Sequence, residues 1–85
     1  MHRSDFLEAM EIKDPKALSD YRQERVFWAV EGRELELYLD DADEIVYVCF
    51  AGGYPKSLMD FQHDLRMGGH LQKYSNAIYS LLKKE

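Results

Sequence analysis

The chain has 85 residues, of which 46% are hydrophobic, and a formal net charge of −5 at pH 7. A chain of this length has room for one domain, residues 1–85, and this apolar fraction is typical of a folded protein rather than a disordered segment. The single cysteine excludes an internal disulfide and a zinc site built from several cysteines of one chain.

The composition also restricts the expected surroundings of the protein. No apolar run approaches the roughly 18–20 residues that a membrane-spanning helix requires, and the N-terminus is too short and too charged for a secretory signal. We therefore expect a cytoplasmic protein without membrane contact. The acidic net charge argues against direct nucleic-acid binding, which relies on patches of lysine and arginine.

Two short helices are predicted at the N-terminus. Asp5 and Glu8 have the spacing of a capping box, and this first helix should end near Lys13 because the following Asp14-Pro15 disfavours continuation. The same dipeptide is a typical helix start, so a second helix is predicted to run to Gln23 or Glu24. The apolar positions of this second helix are Ala17, Leu18 and Tyr21.

Three antiparallel strands are predicted next, over residues 25–30, 34–39 and 44–50. The segments are rich in β-branched and aromatic residues, and Glu31-Gly32-Arg33 and the acidic loop 40–43 supply the turns. A four-residue loop would pair Leu39 with Glu44, Leu37 with Val46 and Leu35 with Val48. The predicted core face carries Leu35, Leu37, Leu39, Val46, Val48 and Phe50, and the predicted half-exposed face carries Glu34, Glu36, Tyr38, Ile45, Tyr47 and Cys49.

Two helices are predicted after the sheet. Pro55 should open the first and Gly68-Gly69 should end it, and the second should run from about His70 to Lys84. The apolar stripes are Leu58, Phe61 and Leu65 on the first helix, and Leu71, Tyr74, Ile78, Leu81 and Leu82 on the second. The expected fold is α+β, with a three-stranded antiparallel sheet, two N-terminal helices and two C-terminal helices packed on one face.

Few residues in the chain have the pattern of a catalytic or metal site. Asp60 and His63 lie one helical turn apart, but no third ligand is fixed by the sequence, so no metal is predicted. Cys49 has no neighbour that would lower its pKa, and Ser57 lies in no nucleophile elbow. We therefore expect no catalytic residue, no cofactor and no enzymatic activity.

The segment between the third strand and the following helix is a candidate anion contact. Gly52 and Gly53 permit close backbone approach, the helix N-terminus offers free N–H groups, and Lys56 and Ser57 are nearby in sequence. The spacing does not fit a Walker A loop, and a plain structural turn is the alternative.

The predicted interaction surface combines acidic and aromatic residues. Exposed aromatic side chains tend to mark interfaces, and Trp28 and Tyr54 are further aromatics expected near the acidic strand face. The residues of this surface are Glu34, Glu36, Tyr38, Tyr47, Asp40 and Asp41.

From Gly32 to about Tyr74 the chain resembles the U-type (NifU N-terminal and IscU-like) iron–sulfur cluster assembly scaffolds. The resemblance lies in a turn glycine before the strand ELELYL, an acidic turn, a strand ending in Phe, a following glycine and the later GGHL. In this chain Glu31 stands in place of the first ligand cysteine, Arg33 in place of the aspartate, and Tyr54-Pro55 in place of the second cysteine. The resemblance implies a relative that keeps the scaffold fold without the cysteines that hold a cluster.

The sequence therefore favours a small non-catalytic protein-interaction module, an adaptor or regulator with a scaffold-like fold that cannot hold an iron–sulfur cluster. Its expected partner is another protein, with basic character as one option. Because the half-exposed sheet face has no predicted cover, a homodimer through that face is another option. The alternative function is an acidic inhibitor that mimics nucleic acid and blocks a basic protein.

Overall fold

The structure, a computed structural model, describes residues 1–13, 15–17 and 23–84. Three helices and four strands make up this part of the chain, and a short 3₁₀ turn at Val30–Gly32 links the second strand to the third. The elements are α1 (Arg3–Ala9), β1 (Pro15–Ala17), β2 (Gln23–Trp28), β3 (Arg33–Leu39), β4 (Ile45–Phe50), α2 (Leu58–Met67) and α3 (Gln72–Lys83).

The strands form one antiparallel sheet in the order β1-β2-β3-β4. The α+β class and the three longer antiparallel strands are as predicted. The second N-terminal helix is wrong, because Pro15–Ala17 pairs with β2, with Ala17 opposite Glu24. Pairing with a neighbouring strand thus overrides the local helix-start signal of the Asp-Pro dipeptide. The other positions of that predicted helix, Leu18 and Tyr21, lie outside the described residues.

Helix α1 begins and ends differently from the prediction. The cap is His2, whose Nδ1 accepts a hydrogen bond from the N–H of Ser4 at 3.2 Å, so Asp5 lies inside the helix. The helix ends at Ala9, before Lys13. Glu11 then has a positive φ of 57°, which turns the chain away from the helix axis.

The β3–β4 hairpin has a different register from the predicted one. Leu37 lies opposite Val48 and Leu35 opposite Phe50, a displacement of two residues, while Leu39 lies opposite Ile45. The pairing shifts by one residue between Tyr38 and Leu39, so one additional β4 residue is accommodated as a bulge. A displacement of two residues keeps each side chain on its predicted face. The bulge reverses the predicted faces of two residues, so that Ile45 is buried and Val46 is exposed.

The hydrophobic core lies between one face of the sheet and the three helices. Trp28 is at its centre, with ring centroids 5.0 Å from Tyr74 and 6.0 Å from Phe50. Its indole Nε1 donates a hydrogen bond to the carbonyl of Met10 at 3.1 Å, so the polar edge of the ring is also satisfied. The expectation that Trp28 lies near the acidic strand face is therefore wrong. The fully buried apolar residues around Trp28 are Phe6, Met10, Val26, Leu35, Leu37, Val48, Phe61, Leu65 and Ile78.

Two polar contacts cross this core. The carboxylate of Glu24, 4% exposed, accepts two hydrogen bonds from the guanidinium of Arg3, which joins α1 to β2. Gln62 donates to the hydroxyl of Ser75 at 2.8 Å, and that hydroxyl donates to the Gln62 carbonyl at 3.0 Å, which joins α2 to α3. These hydrogen bonds satisfy buried groups that would otherwise be costly to desolvate.

The ends of α2 also differ in part from the prediction. Pro55 does not open the helix, because Lys56 pairs through its backbone with Val48. The helix begins at Leu58 with Ser57 as its cap, and Gly68 ends it as expected.

The outer edge of β4 is partly covered by other segments. The N–H of Ile45 donates to the carbonyl of Met1 at 2.9 Å, and Val48 exchanges two backbone hydrogen bonds with Lys56. This edge is therefore poorly suited to pairing with a further strand. None of the helices in the described part of the chain has both the length and the apolar composition that a bilayer-spanning helix needs.

Candidate functional site

The side of the sheet that faces away from the helices is the candidate site, and we call it the outer sheet face. Alternation along β2, β3 and β4 places every second residue on it, and the strand register aligns these residues in rows. Its members are Gln23, Arg25, Phe27, Glu34, Glu36, Tyr38, Tyr47 and Cys49.

A hydrogen-bonded network orders the middle of the outer sheet face. The carboxylate of Glu36 accepts hydrogen bonds from the side-chain amide of Gln23 at 2.9 Å and from the hydroxyl of Tyr38 at 3.1 Å. Partial burial, and secondarily the hydrogen bond to Glu36, raises the pKa of Tyr38, so its hydroxyl is held protonated as a donor. Arg25 lies directly across from Glu36 and provides the opposite charge on the adjacent strand.

Two aromatic side chains stand in solvent beside this network. Phe27 is 62% exposed and lies opposite Glu34, and Tyr47 is 48% exposed and lies opposite Tyr38. Large aromatics that remain exposed next to ordered polar groups are typical of protein interfaces. The face therefore combines apolar contact area with a few oriented polar and charged groups.

Cys49 belongs to the outer sheet face by register but is buried. Burial raises the pKa of the Cys49 thiol, and the negative charge of Glu36 raises it further, while Lys56 acts in the opposite direction. The thiol is therefore held in its protonated form, in which it is a poor nucleophile and a poor metal ligand.

The acidic residues of the predicted surface are divided between separate places. Glu34 and Glu36 lie on the outer sheet face, whereas Asp40 and Asp41 lie in the turn at the end of the hairpin. The carboxylate of Asp40 accepts the backbone N–H groups of Ala42 at 2.9 Å and of Glu44 at 3.0 Å, so it helps to shape the turn.

Glu31, at the opposite end of β3 from this turn, makes separate contacts. Its carboxylate contacts the imidazole of His70 and lies 3.7 Å from the guanidinium of Arg33. These acidic groups therefore do not form one continuous negative surface.

The Gly52–Ser57 junction, the predicted anion contact, lies beside a groove of about 420 Å³. Gly52 has a positive φ of 86°, which favours glycine, and the N–H of Gly53 donates to the Phe50 carbonyl at 2.9 Å. Ser57 accepts the N–H of Asp60 as the helix cap, at 3.2 Å.

The two polar side chains of that junction already have partners. The Ser57 hydroxyl caps α2, and the ammonium of Lys56 pairs with the carboxylate of Asp64. An anion would have to compete with both contacts, and the anion contact stays a prediction.

Within the described part of the chain, no third ligand joins Asp60 and His63. Asp60 and His63 both lie on the exposed side of α2, while His70 contacts Glu31 beyond the end of that helix. Within residues 1–13, 15–17 and 23–84, no three His, Cys, Asp or Glu side chains are grouped closely enough to hold a metal ion.

Three residues of the outer sheet face, Gln23, Arg25 and Phe27, were missed by the sequence reasoning. The signal was the alternation in RVFWAV, which places Arg25 and Phe27 on one face and Val26 and Trp28 on the other. Pairing with β3 decides which of these two faces is the core face, since Val26 lies opposite Leu35.

Comparisons with protein-family models, with curated proteins and with solved structures find no match to this chain. The fold and the outer sheet face therefore define the protein only as a small α+β domain with an exposed, mixed acidic and aromatic sheet surface.

Proposed function

We propose that the protein is a small non-catalytic interaction module, an adaptor or regulator that binds another protein through its outer sheet face. The observation that carries this proposal is the exposure of Phe27 and Tyr47 beside the hydrogen-bonded carboxylate of Glu36. Aromatic contact area provides affinity, and the ordered polar groups provide selectivity.

The charges of the outer sheet face suggest the chemistry of the partner. Among the residues of the outer sheet face named above, Glu34 and Glu36 carry two negative charges and Arg25 carries one positive charge. A partner surface with apolar side chains and a small excess of lysine or arginine would complement it. We therefore propose a partner that is basic at the contact, without requiring a strongly basic protein.

The proposed setting, beside iron–sulfur cluster assembly proteins, rests on the sequence resemblance. The chain has one cysteine, Cys49, and its thiol is buried with a raised pKa. A [2Fe–2S] cluster needs about four protein ligands, mostly thiolates. A cluster-free adaptor is the role that this resemblance and this composition support together.

The experiment is affinity capture of partners from native lysate, with the wild-type protein and the Glu34→Lys/Glu36→Lys variant as baits. We expect the variant to lose the specific partners, because each substitution reverses a charge on the contact surface. A charge-matched control, Glu8→Lys/Asp60→Lys, changes two exposed carboxylates of the helices and should retain them. Circular dichroism checks that both variants remain folded.

The outcome separates the proposal from its alternatives. Equal capture by wild type and by the Glu34→Lys/Glu36→Lys variant would contradict the proposed surface. Capture of nucleic-acid-binding proteins that falls steeply with salt would instead support the acidic inhibitor, since exposed charges are screened by ions.

A further inference from the structure

The groove between α2 and α3 has a chemistry that the proposed function does not use. It has a volume of about 540 Å³, within the usual range of ligand pockets, and lies in the helical layer that covers the core-forming face of the sheet. Its lining residues are Met59, Gln62, His63, Arg66, Gln72, Asn76 and Tyr79.

None of the described residues that line the groove carries a carboxylate, in a protein whose net charge is −5. Arg66 lines it, and the ammonium of Lys83 lies 4.8 Å from the ring centroid of Tyr79, at the groove's end. Asp60 and Asp64 are on the same helix as Arg66 but are not among the residues that line the groove, and Asp64 pairs with Lys56. The sequence thus concentrates positive charge along one side of the helical pair.

The guanidinium of Arg66 has no partner among the residues that the structure describes. Among the described residues, other cations do have carboxylate partners: Arg3 pairs with Glu24, Lys56 with Asp64, and Lys73 with Glu11. Arg66 also lies in the last turn of α2, where a cation is favourable to the helix dipole. That effect accounts for a cation at this position, but it leaves the five donors of the guanidinium available to a ligand.

Side-chain amides supply the hydrogen-bonding groups of the groove. Gln62 is buried and uses its amide nitrogen to reach Ser75, which leaves its amide oxygen as an acceptor. Within the described part of the chain, the amides of Gln72 and Asn76 make no hydrogen bond. Amides both donate and accept, so these three match the alternating N–H and C=O groups of a peptide backbone.

Apolar contact area lies at the other end of the groove. The connection 68–71 makes α2 and α3 an antiparallel pair, so Arg66 and Gln72 are near that connection while Met59 and Tyr79 are far from it. Met59 is 51% exposed and Tyr79 is 41% exposed. A flexible thioether beside an aromatic ring can accommodate an aliphatic or aromatic side chain.

From these features we propose that the α2–α3 groove is a second binding site, which takes an acidic peptide segment with one apolar anchor residue. The carboxylates of the segment contact Arg66 and Lys83, its backbone contacts the amides, and its anchor lies against Met59 and Tyr79. Charge complementarity selects this occupant, since a basic segment would be repelled by two cations that no carboxylate of the groove neutralises.

The test is fluorescence anisotropy with a labelled peptide of sequence EDLFED, at low and at moderate salt. The full chain should bind it more tightly than the neutral counterpart QNLFQN, and added salt should weaken the binding. The variant Arg66→Gln/Lys83→Gln should bind EDLFED about tenfold more weakly. The matched control, Lys13→Gln/Lys84→Gln, removes the same charge outside the groove and should bind as the wild type does.

Two results would overturn this site. Equal weakening by the groove variant and its control would mean that net charge alone attracts the peptide. Tighter binding of a short oligothymidylate than of EDLFED, lost in the same groove variant, would assign the groove to single-stranded nucleic acid. The Glu34→Lys/Glu36→Lys variant should retain peptide binding through the groove. Loss of peptide binding by the groove variant and loss of partner capture by the outer-sheet-face variant are therefore independent results.

Discussion

Phe27 and Trp28 are adjacent in β2 and lie on opposite faces of the same sheet. Trp28 is 1% exposed and contacts two other aromatic rings, whereas Phe27 is 62% exposed on the outer sheet face. Similar apolar side chains therefore have different roles, and the alternation of the strand decides which role each has. One face of the sheet stabilises the fold, and the other leaves Phe27 and Tyr47 exposed to solvent.

The largest expected effect is on stability, and it distinguishes these two neighbours. Trp28→Ala should lower the free energy of unfolding by about 3–5 kcal/mol, because it leaves a cavity in the core. Phe27→Ala should change it by no more than about 0.5 kcal/mol, as an exposed substitution. Urea denaturation of both variants measures the contrast, and similar losses for the two would mean that the outer sheet face is covered.

The next effect concerns the buried carboxylate of Glu24 on the core face. Arg3→Met should destabilise the protein by about 2 kcal/mol, since Glu24 loses its partner while Arg3 itself is partly exposed to solvent. Arg3→Met/Glu24→Met should recover most of this loss, because no unpaired charge remains. If the double variant is no more stable than Arg3→Met, the ion pair does not account for the loss.

The smallest effect is a pH dependence at the surface. A hydrogen bond from Lys73, and secondarily its positive charge, lowers the pKa of the Glu11 carboxyl below its ordinary value of 4.5. A carboxyl whose pKa is lowered in the folded state stabilises the protein at pH values above its ordinary pKa. That stabilisation is lost as the pH falls through the folded-state pKa. Glu11→Gln should therefore lower the melting temperature at about pH 6, and this effect should shrink as the pH falls below 4.5.

The stabilisation by the Glu11–Lys73 ion pair is also lost at high pH. Glu11 raises the pKa of Lys73 above its ordinary 10.5, chiefly through the hydrogen bond, so this contribution is present below that value and lost as the pH rises above it. The difference in melting temperature between Glu11→Gln and wild type should therefore change with pH. A difference that stays constant across the acid range would contradict the ion pair as its cause.

The sequence predicted the elements better than their pairing. Alternation in ELELYL and in IVYVCF identifies two strands, and the Gly68-Gly69 pair identifies the end of α2. The hairpin register was wrong by two residues: Leu39 pairs with Ile45 instead of Glu44, and the bulge in β4, which the acidic loop does not signal, adds the second residue. Pro15–Ala17 is wrongly predicted to be helical because the Asp14-Pro15 helix-start signal is strong locally, whereas the pairing of Ala17 with Glu24 has no signal of its own in the sequence.

The candidate site was predictable only where it depends on the alternation of residues along a single strand. Glu34, Glu36, Tyr38 and Tyr47 share one face, since alternation along each strand is local information. Arg25 and Phe27 join them only through the pairing of β2 with β3. The acidic residues lie in separate places because the hairpin turn holds Asp40 and Asp41 and because Glu31 contacts His70. The spacing of the charges along the sequence does not indicate this separation.

The central claim is that the outer sheet face binds a partner while the opposite face holds the fold together. Quantitative affinity capture with Phe27→Ser/Tyr47→Ser, compared with wild type, tests it most directly. Met67→Ser is the control, because it removes an exposed apolar side chain of α2, outside the outer sheet face. We predict that the first variant stays folded and loses the partners that wild type and control retain. Retention of the same partners by all three proteins would contradict the account.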